Sequence, residues 1–344
     1  MYFIRFFIRN KVLWFFLRIG LFSVFKQIGI HLILISGCTA TGKTELAIKV
    51  CQLLPQSEII SVDSRQIYRY MDLGTAKPTL KERKGVPHHF IDCAYPTEDI
   101  NAGNFAKRAW IIIDQMRVRG IVPVLVGGSG LYWQAIINGF YNQHSNEKKH
   151  RPFLIERMQK FGLKKLYSEL EKVDPIGSKR ISNHDSKRIL RALEVFYEDK
   201  IPISQRWLDN NSSHLKTYVP KLMISIQRPR KMVYERINNR VDKMVELGLV
   251  DEVKNILSMY PKQKLPAIDT IGYREVLPFI NGEVDLLSVV DQIKQNSRRF
   301  AKRQITLLTK DRRFKELNVE NFGIDGCANR IVEQYKRLDP SNLF

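Results

Sequence analysis

Short apolar runs alternate with amphipathic stretches across residues 31–137, which is the pattern of repeated strand–helix units. The runs at 32–35, 58–62 and 121–126 are mostly apolar and have the length of strands buried on both faces of a parallel sheet. Residues 103–119 carry apolar positions at helical spacing. The pattern therefore predicts an α/β fold built on a parallel sheet.

A glycine-rich loop follows the first predicted strand. Residues 37–44 are GCTATGKT, which matches the nucleotide-binding (ATP-binding) pattern G-x-x-x-x-G-K-[ST] at every fixed position. The apolar positions after the loop have helical spacing, so its N–H groups and a helix N-terminus would surround a phosphate. Lys43 would reach the outer phosphates, and the Thr44 hydroxyl would hold Mg²⁺, the expected cofactor. The predicted phosphate site comprises Gly37, Cys38, Thr39, Ala40, Thr41, Gly42, Lys43 and Thr44.

Asp63 is the clearest carboxylate at a predicted strand end. The strand at 121–126 ends in glycines and a hydroxyl, so the carboxylate that holds Mg²⁺ in ATP-hydrolysing proteins of this type is missing there. Ligands of open α/β sheets lie beyond the carboxyl ends of the strands, so Asp63 should face the same crevice as Lys43. Three roles remain open for Asp63: Mg²⁺ ligand, general base, or N-cap of a helix at residues 64–68.

The pattern changes near residue 140. Residues 142–151 are polar, 151–172 and 185–198 have helical spacing, and 202–216 form a polar loop or a hairpin of helices. A strand at 219–226 and helices over most of 230–313 follow. We predict a P-loop NTPase-like parallel sheet core with a helical insertion and C-terminal helices. Its segments are an extension (1–30), the core (31–140), the insertion (141–215), a return to the core with C-terminal helices (216–315) and a tail (316–344).

The net charge of +21 is unusually high for a chain of 344 residues. Residues 148–240 hold 22 basic and 10 acidic side chains, and residues 294–315 hold 9 basic and 1 acidic. Clustered positive charge favours a nucleic-acid partner, because each neutralised phosphate releases a counterion. The four cysteines show no C-x-x-C spacing, which argues against a zinc module or a disulfide framework and fits a reducing compartment.

Residues 1–30 are rich in Phe, Ile and Leu, carry five basic residues and contain no acidic one. Their charge-free stretches are too short for a transmembrane helix, so we expect no stable membrane insertion. We expect a cytoplasmic protein whose fold begins near residue 31. An organellar presequence or a membrane-surface helix stays an alternative for this extension.

The motifs occur in the order of a known family, and the chain resembles the tRNA dimethylallyltransferases (tRNA isopentenyltransferases). The resemblance spans residues 31–306. Its other segments are VDSRQIY (62–68), GTAKP (74–78), VPHHFID (86–92), VGGSGLY (126–132), DSKRILRALEV (185–195), RINNRVDKMVELGLVDEV (236–253), IGYREV (271–276) and FAKRQIT (300–306). Departures are small: the family usually has Pro at Cys38, Ser at Thr41 and Thr at Ser129. The zinc finger of some eukaryotic members is absent, so the resemblance favours a bacterial-type enzyme.

The resemblance implies transfer of a dimethylallyl group from dimethylallyl diphosphate to N6 of the adenosine 3′ to the anticodon. It implies that Lys43 and Arg230 act at the diphosphate and that the catalytic Thr39 hydroxyl lies in the substrate channel. It also implies that Asp63 accepts the proton of the attacking amine. The tRNA base has to be extruded from its stack. The implied tRNA contacts are Asp63, Ser64, Arg65, Gln66, Ser129, Arg151, Lys187, Arg188, Ile189, Leu190 and Arg191. The expected partners are the anticodon stem-loop and dimethylallyl diphosphate, bound by a monomer.

Three other functions stay open at this point. An adenylate isopentenyltransferase acting on free AMP, ADP or ATP would share the loop and Asp63, although a mononucleotide needs no large basic insertion. A P-loop kinase or RNA-dependent ATPase is opposed by the missing carboxylate after Val126. A non-catalytic RNA-binding protein would tolerate loss of Asp63 and Lys43.

Overall fold

The computed structural model of the chain describes residues 32–139, 149–210 and 222–338. Residues 32–100, 109–130 and 222–338 form one compact unit, and 101–108, 131–139 and 149–210 form a second. The predicted extension, most of the polar boundary at 142–151 and residues 211–216 lie outside the described residues.

The first unit contains a six-stranded parallel sheet, which confirms the predicted α/β class. Its strand order is β3-β2-β4-β1-β5-β6. The register places Ile33 of β1 opposite Val124 of β4 and Leu222 of β5, and Ile59 of β2 opposite the same Val124. The strands are β1 (Ile33–Gly37), β2 (Ser57–Ser61), β3 (His88–His89), β4 (Val122–Val126), β5 (Leu222–Gln227) and β6 (Lys315–Asn318).

The described helices lie between these strands in the chain or follow the last one. In chain order they are α1 (Lys43–Leu53), α2 (Leu80–Arg83), α3 (Ala102–Val118), α4 (Gly130–Asn138), α5 (Arg151–Val173), α6 (Pro175–Ser178), α7 (Ser186–Asp199), α8 (Ile203–Asn210), α9 (Arg230–Glu246), α10 (Leu249–Met259), α11 (Leu277–Ile280), α12 (Leu286–Lys310) and α13 (Val319–Leu338), with a 3₁₀ turn at Pro266–Ile268. No described helix has the length and apolar character needed to cross a membrane.

The core of the first unit lies between the sheet, α1 and α13. Ile331 and Tyr335 of α13 are buried against Val50 of α1 and the apolar side chains of β1, β4 and β5. The segment predicted as a tail therefore contains a sheet strand, β6, and a core helix. Sequence patterning missed β6 because four residues are too few to show alternation.

The second unit has its own core, formed mainly by α5 and α7. Leu154 and Leu166 of α5 pack with Ile189, Leu190 and Leu193 of α7. Asp185 caps α7, because its carboxylate accepts the Arg188 N–H at 3.0 Å. The helices predicted at 151–172 and 185–198 are thus α5 and α7.

Parallel pairing determines where the candidate site lies. The carboxyl ends of β2, β4 and β1 lie side by side at one edge of the sheet. The 37–44 loop leaves β1, Asp63 follows β2, and Gly127 follows β4. A Cβ atom at Gly127 would lie 1.9 Å from the Val62 carbonyl oxygen, so only glycine allows the β2 and β4 connections to approach this closely.

Candidate active site at the phosphate loop

The loop between β1 and α1 has the backbone of a phosphate loop and a lysine lying over it. Gly42, which caps α1, has φ 94°, in the left-handed region that favours glycine. The Lys43 ammonium donates to the Cys38 carbonyl at 2.7 Å, and the Thr41 hydroxyl donates to the same oxygen at 2.8 Å. The ammonium is therefore held at the loop.

Two arginines of α9 reach the loop from a distant part of the chain. Arg236 donates through Nε to the Ala40 carbonyl at 2.8 Å, and Arg240 donates through Nη2 to the Thr39 hydroxyl. The two arginines are four residues apart, so they project from the same face of the helix. We did not predict these two arginines as site residues from the sequence. Their four-residue spacing in the segment RINNR could have indicated that they share a face of the helix.

Gln304 of α12 joins the loop to the end of β4. Its buried amide accepts the Thr39 N–H at 2.8 Å through Oε1 and donates to the Gly128 carbonyl at 2.9 Å through Nε2. A glutamine that satisfies one donor and one acceptor on two strand connections fixes their separation. Sequence inspection missed Gln304 because its partners lie 265 and 176 positions away.

Two of the cations at the loop, Lys43 and Arg240, are partly removed from solvent. Burial, together with the nearby Arg240 charge, lowers the pKa of Lys43 to about 8, although Cys38 and Asp63 act in the opposite direction. Burial also lowers the pKa of Arg240, and its Nε atom is buried without a hydrogen-bond partner among the described residues. Buried positive charge with unused donors indicates an anion site.

Asp63 lines the same cavity as Lys43 and Arg240, and one of its oxygens is already engaged. Its Oδ1 accepts the backbone N–H groups of Arg65 at 2.8 Å and Gln66 at 3.3 Å. These are the bonds expected of a cap, but residues 64–67 form a turn and not a helix. Its Oδ2 accepts no hydrogen bond from a described residue, so this oxygen is available to a ligand. Ser129 supports the same turn, because its hydroxyl accepts the Ser64 N–H at 3.1 Å.

The orientation of the Gln66 side-chain amide is fixed by its neighbours. Nε2 donates to the Thr75 carbonyl at 3.3 Å and the Ala76 carbonyl at 3.1 Å, while Oε1 accepts from the Ser61 hydroxyl at 3.2 Å. Since carbonyl oxygens only accept, the atom facing residues 75 and 76 has to be the amide nitrogen. The amide oxygen keeps one lone pair for a ligand.

A cavity of about 1060 Å³ connects these groups within the first unit. Apolar side chains also line the cavity, including Ile59, Val126, Met244 and Phe300. The polar side chains that line it include Thr39, Lys43, Thr44, Asp63, Gln66, Arg236 and Arg240.

Arg230, predicted at the diphosphate, lies elsewhere. It begins α9, is exposed, and donates through Nε to the Tyr234 hydroxyl at 2.8 Å, with its guanidinium over the Tyr234 ring. It is not among the residues that line the cavity. Arg236 and Arg240, more than one helical turn further along, occupy the position expected of Arg230.

The predicted tRNA-contact residues of the second unit divide into buried and exposed side chains. Ile189 and Leu190 are 0% and 4% exposed, so their side chains pack in the core and do not reach a surface ligand. Lys187 and Arg188 are exposed, and the Arg188 side chain is 71% accessible. Arg151 and Arg191 both approach the buried Glu194 carboxylate, at 3.0 and 3.5 Å, which orders their guanidinium groups.

Comparisons with known proteins match most of the chain and agree with one another. A family model described as IPP transferase matches residues 66–311. The chain is 42% identical to the tRNA dimethylallyltransferase of Thermosipho africanus over 305 residues, 89% of this chain and 97% of that protein. It is 39% identical to the tRNA dimethylallyltransferase of Natranaerobius thermophilus over 304 residues, 88% and 90% of the two chains.

A solved structure is similar over the same extent. The crystal structure of the full-length tRNA isopentenylpyrophosphate transferase from Bacillus halodurans aligns with a TM-score of 0.65 at 33% sequence identity. The alignment covers 92% of this chain and 100% of that structure.

Proposed function

Because the chain belongs to the IPP transferase family, we propose that it transfers a dimethylallyl group from dimethylallyl diphosphate to N6 of the adenosine 3′ to the anticodon of tRNA. One observation carries the assignment of the site. The partly buried cations Lys43 and Arg240 at a phosphate loop and a carboxylate with an unengaged oxygen line the same partly apolar cavity. The first group suits a departing diphosphate, and the second suits an attacking amine.

The diphosphate is bound by the loop N–H groups together with Lys43, Arg236 and Arg240. Negative charge grows on the leaving oxygen as the allylic C–O bond breaks, and donors already aimed at that oxygen stabilise the transition state most. The ammonium of Lys43 exchanges the Cys38 carbonyl for a phosphate oxygen. Binding the anion also relieves the repulsion among the three cations, so binding and leaving-group stabilisation use the same residues.

Asp63 and Gln66 bind the acceptor amine. The N6 amino group of adenine offers two N–H donors, and the two side chains offer an unengaged carboxylate oxygen and an amide oxygen. As the nitrogen bonds to the allylic carbon, Asp63 Oδ2 takes its proton. A guanine presents a carbonyl oxygen at the same position, which would face two acceptors and be rejected.

The residues present fit a magnesium ion at the diphosphate. Mg²⁺ usually binds one or two protein oxygens plus phosphate oxygens, so it needs no cage of carboxylates, and the described residues contain none. The Thr44 hydroxyl lines the cavity in the first turn of α1 and would be the protein ligand. When bound, the ion neutralises charge on the leaving diphosphate.

The tRNA partner accounts for the charge of the chain. We propose that Lys187 and Arg188, which are exposed, contact phosphates of the anticodon stem-loop together with Arg151 and Arg191, which Glu194 orders. Ser64 and Arg65 lie in the turn that carries Asp63 and Gln66, so they would approach the extruded nucleotide. We propose that one monomer supplies all of these residues.

The test is incubation of the purified chain with dimethylallyl diphosphate, Mg²⁺ and unmodified tRNA that carries adenosine at the target position. Mass spectrometry of the nucleosides should detect N6-dimethylallyladenosine, and a tRNA with guanosine at that position should stay unmodified. Preferential modification of free AMP, ADP or ATP would instead assign an adenylate isopentenyltransferase. Release of phosphate from ATP at an enzymatic rate, without prenylation, would assign an ATPase.

A further inference from the structure

Three segments that carry the resemblance, GTAKP, IGYREV and the end of RINNRVDKMVELGLVDEV, have no role in the chemistry above. In the structure they meet at Glu252 of α10. Its Oε2 accepts the backbone N–H groups of Asp72 at 3.1 Å and Leu73 at 2.9 Å. Its Oε1 accepts the Gly74 N–H at 3.4 Å and the Tyr273 hydroxyl at 2.5 Å. One carboxylate thus binds three consecutive N–H groups of a loop, as an anion-binding loop would bind a phosphate.

Tyr273 closes this arrangement from the other side. Its side chain is 0% exposed, and its ring lies so close to Gly74 that a Cβ atom there would be 2.3 Å from the ring. Burial and the neighbouring Glu252 carboxylate raise the pKa of Tyr273, so the phenol stays protonated and donates to that carboxylate. The loop at 72–74 is therefore held by a charge-assisted set of bonds and by ring packing.

The same loop is fixed at its other end by Lys77. The Lys77 side chain is 4% exposed, and its ammonium donates to the Tyr68 carbonyl at 2.7 Å, to Asp72 at 2.6 Å and to Asp92 at 2.5 Å. All three hydrogens of the ammonium are used. Residues 72–77 are thus anchored at both ends.

The carbonyls of this anchored loop are the ones that orient Gln66. Thr75 and Ala76 lie between the two anchors and accept both hydrogens of the Gln66 amide. If these carbonyls moved away, the amide could rotate and present its NH₂ group to the adenine amine, which is also a donor. A donor facing a donor would oppose acceptor binding.

We propose that Glu252 and Tyr273 are positioning residues that hold the 72–76 loop so that Gln66 presents its amide oxygen to the acceptor base. The inference rests on the proposed function, because the acceptor base is the one named there. Neither residue is among those that line the cavity, so both would act through the loop and Gln66.

The matched pair of variants is Glu252→Gln and Asp251→Asn. Both residues lie in the first turn of α10, so each substitution removes one helix-stabilising charge from the same place, but Asp251 is exposed and has no hydrogen bond to the loop. We expect Glu252→Gln to lower kcat/KM for tRNA roughly 10- to 100-fold, the range for a small misplacement of a reacting group, with KM for dimethylallyl diphosphate within about twofold of wild type. Asp251→Asn should leave both parameters unchanged.

A double-mutant cycle with Gln66→Ala separates positioning from general stability. If Glu252 acts through Gln66, Glu252→Gln should cost little more than about twofold in the Gln66→Ala background. An equal loss in both backgrounds would overturn the inference, as would a Glu252→Gln variant that behaves like Asp251→Asn. Tyr273→Phe, which removes only the hydroxyl, provides the same comparison if Glu252→Gln does not fold.

Hydrogen exchange keeps the two proposals distinguishable. The amides of residues 72–74 should exchange slowly in the wild-type chain and faster in Glu252→Gln, whether or not the chain prenylates tRNA. A wild-type chain that modifies no tRNA contradicts the proposed function. A wild-type chain that modifies tRNA, with unchanged kinetics and exchange in Glu252→Gln, contradicts only the positioning role.

Discussion

Replacing Asp63 with asparagine separates the two oxygens of this side chain. Oδ1 accepts two backbone N–H groups, from Arg65 and Gln66, and an asparagine oxygen can keep both bonds. The other oxygen becomes an NH₂ group, which cannot accept a proton. Asp63→Asn therefore retains the turn and removes the base, whereas Asp63→Ala removes both.

The two variants differ in what they should lose. Loss of a general base lowers turnover by roughly 10²- to 10⁴-fold, which corresponds to about 2.7–5.4 kcal/mol of transition-state stabilisation. Both variants should show this loss. Only Asp63→Ala should also lose stability, by roughly 0.5–2 kcal/mol, because a side chain that caps backbone N–H groups is worth about that much.

Single-turnover prenylation of tRNA with saturating dimethylallyl diphosphate measures the chemical step, and urea unfolding measures the stability. Binding of tRNA should be largely retained in both variants, since the phosphate contacts lie elsewhere. A rate for Asp63→Asn within tenfold of wild type would refute the assignment of Asp63 as base. Equal stability losses for the two variants would refute the separation of its oxygens.

Three further outcomes are expected. Binding of diphosphate should weaken as the pH rises through about 8, where Lys43 loses its proton, and this limb should be missing in Lys43→Met when affinities are measured by calorimetry. Arg188→Ala should weaken tRNA binding and reduce the slope of log K against log salt by about one unit, measured by filter binding. Ile331→Ala should cost roughly 2–5 kcal/mol in urea unfolding because Ile331 is fully buried, whereas the exposed Glu333→Ala on the same helix should stay within about 0.5 kcal/mol. An equal effect of both substitutions would contradict the core role of α13.

The predicted fold and the observed fold agree most closely where apolar residues follow one another without interruption. The strands at 33–37, 57–61 and 122–126 lie within two residues of their predicted positions, because strands buried on both faces are continuous apolar runs. The two shortest strands, β3 and β6, were missed. Their pairing depends on the neighbouring strand, and two or four residues have too few positions to form a period.

In the candidate site too, the residues that are adjacent in the chain were predicted and the residues that come from distant segments were missed. Residues 37–44 were identified as a phosphate loop because the loop's donors are consecutive in the chain. The spacing of its glycines can therefore be read directly from the sequence. Arg230 was predicted at the diphosphate from the resemblance to the family. Its side chain instead contacts Tyr234, one turn along, and the helix brings Arg236 and Arg240 to the loop.

The sequence by itself determined the α/β class, the phosphate loop and the carboxylate after β2, because each depends on residues adjacent in the chain. Only the tertiary structure decided which cations meet the loop, which oxygen of Asp63 is unengaged and which way the Gln66 amide points. Those features depend on pairs such as Arg240 with Thr39 and Glu252 with Leu73, 201 and 179 positions apart. Contacts at such separations follow from how helices pack on the sheet, and no local pattern of residues encodes that packing.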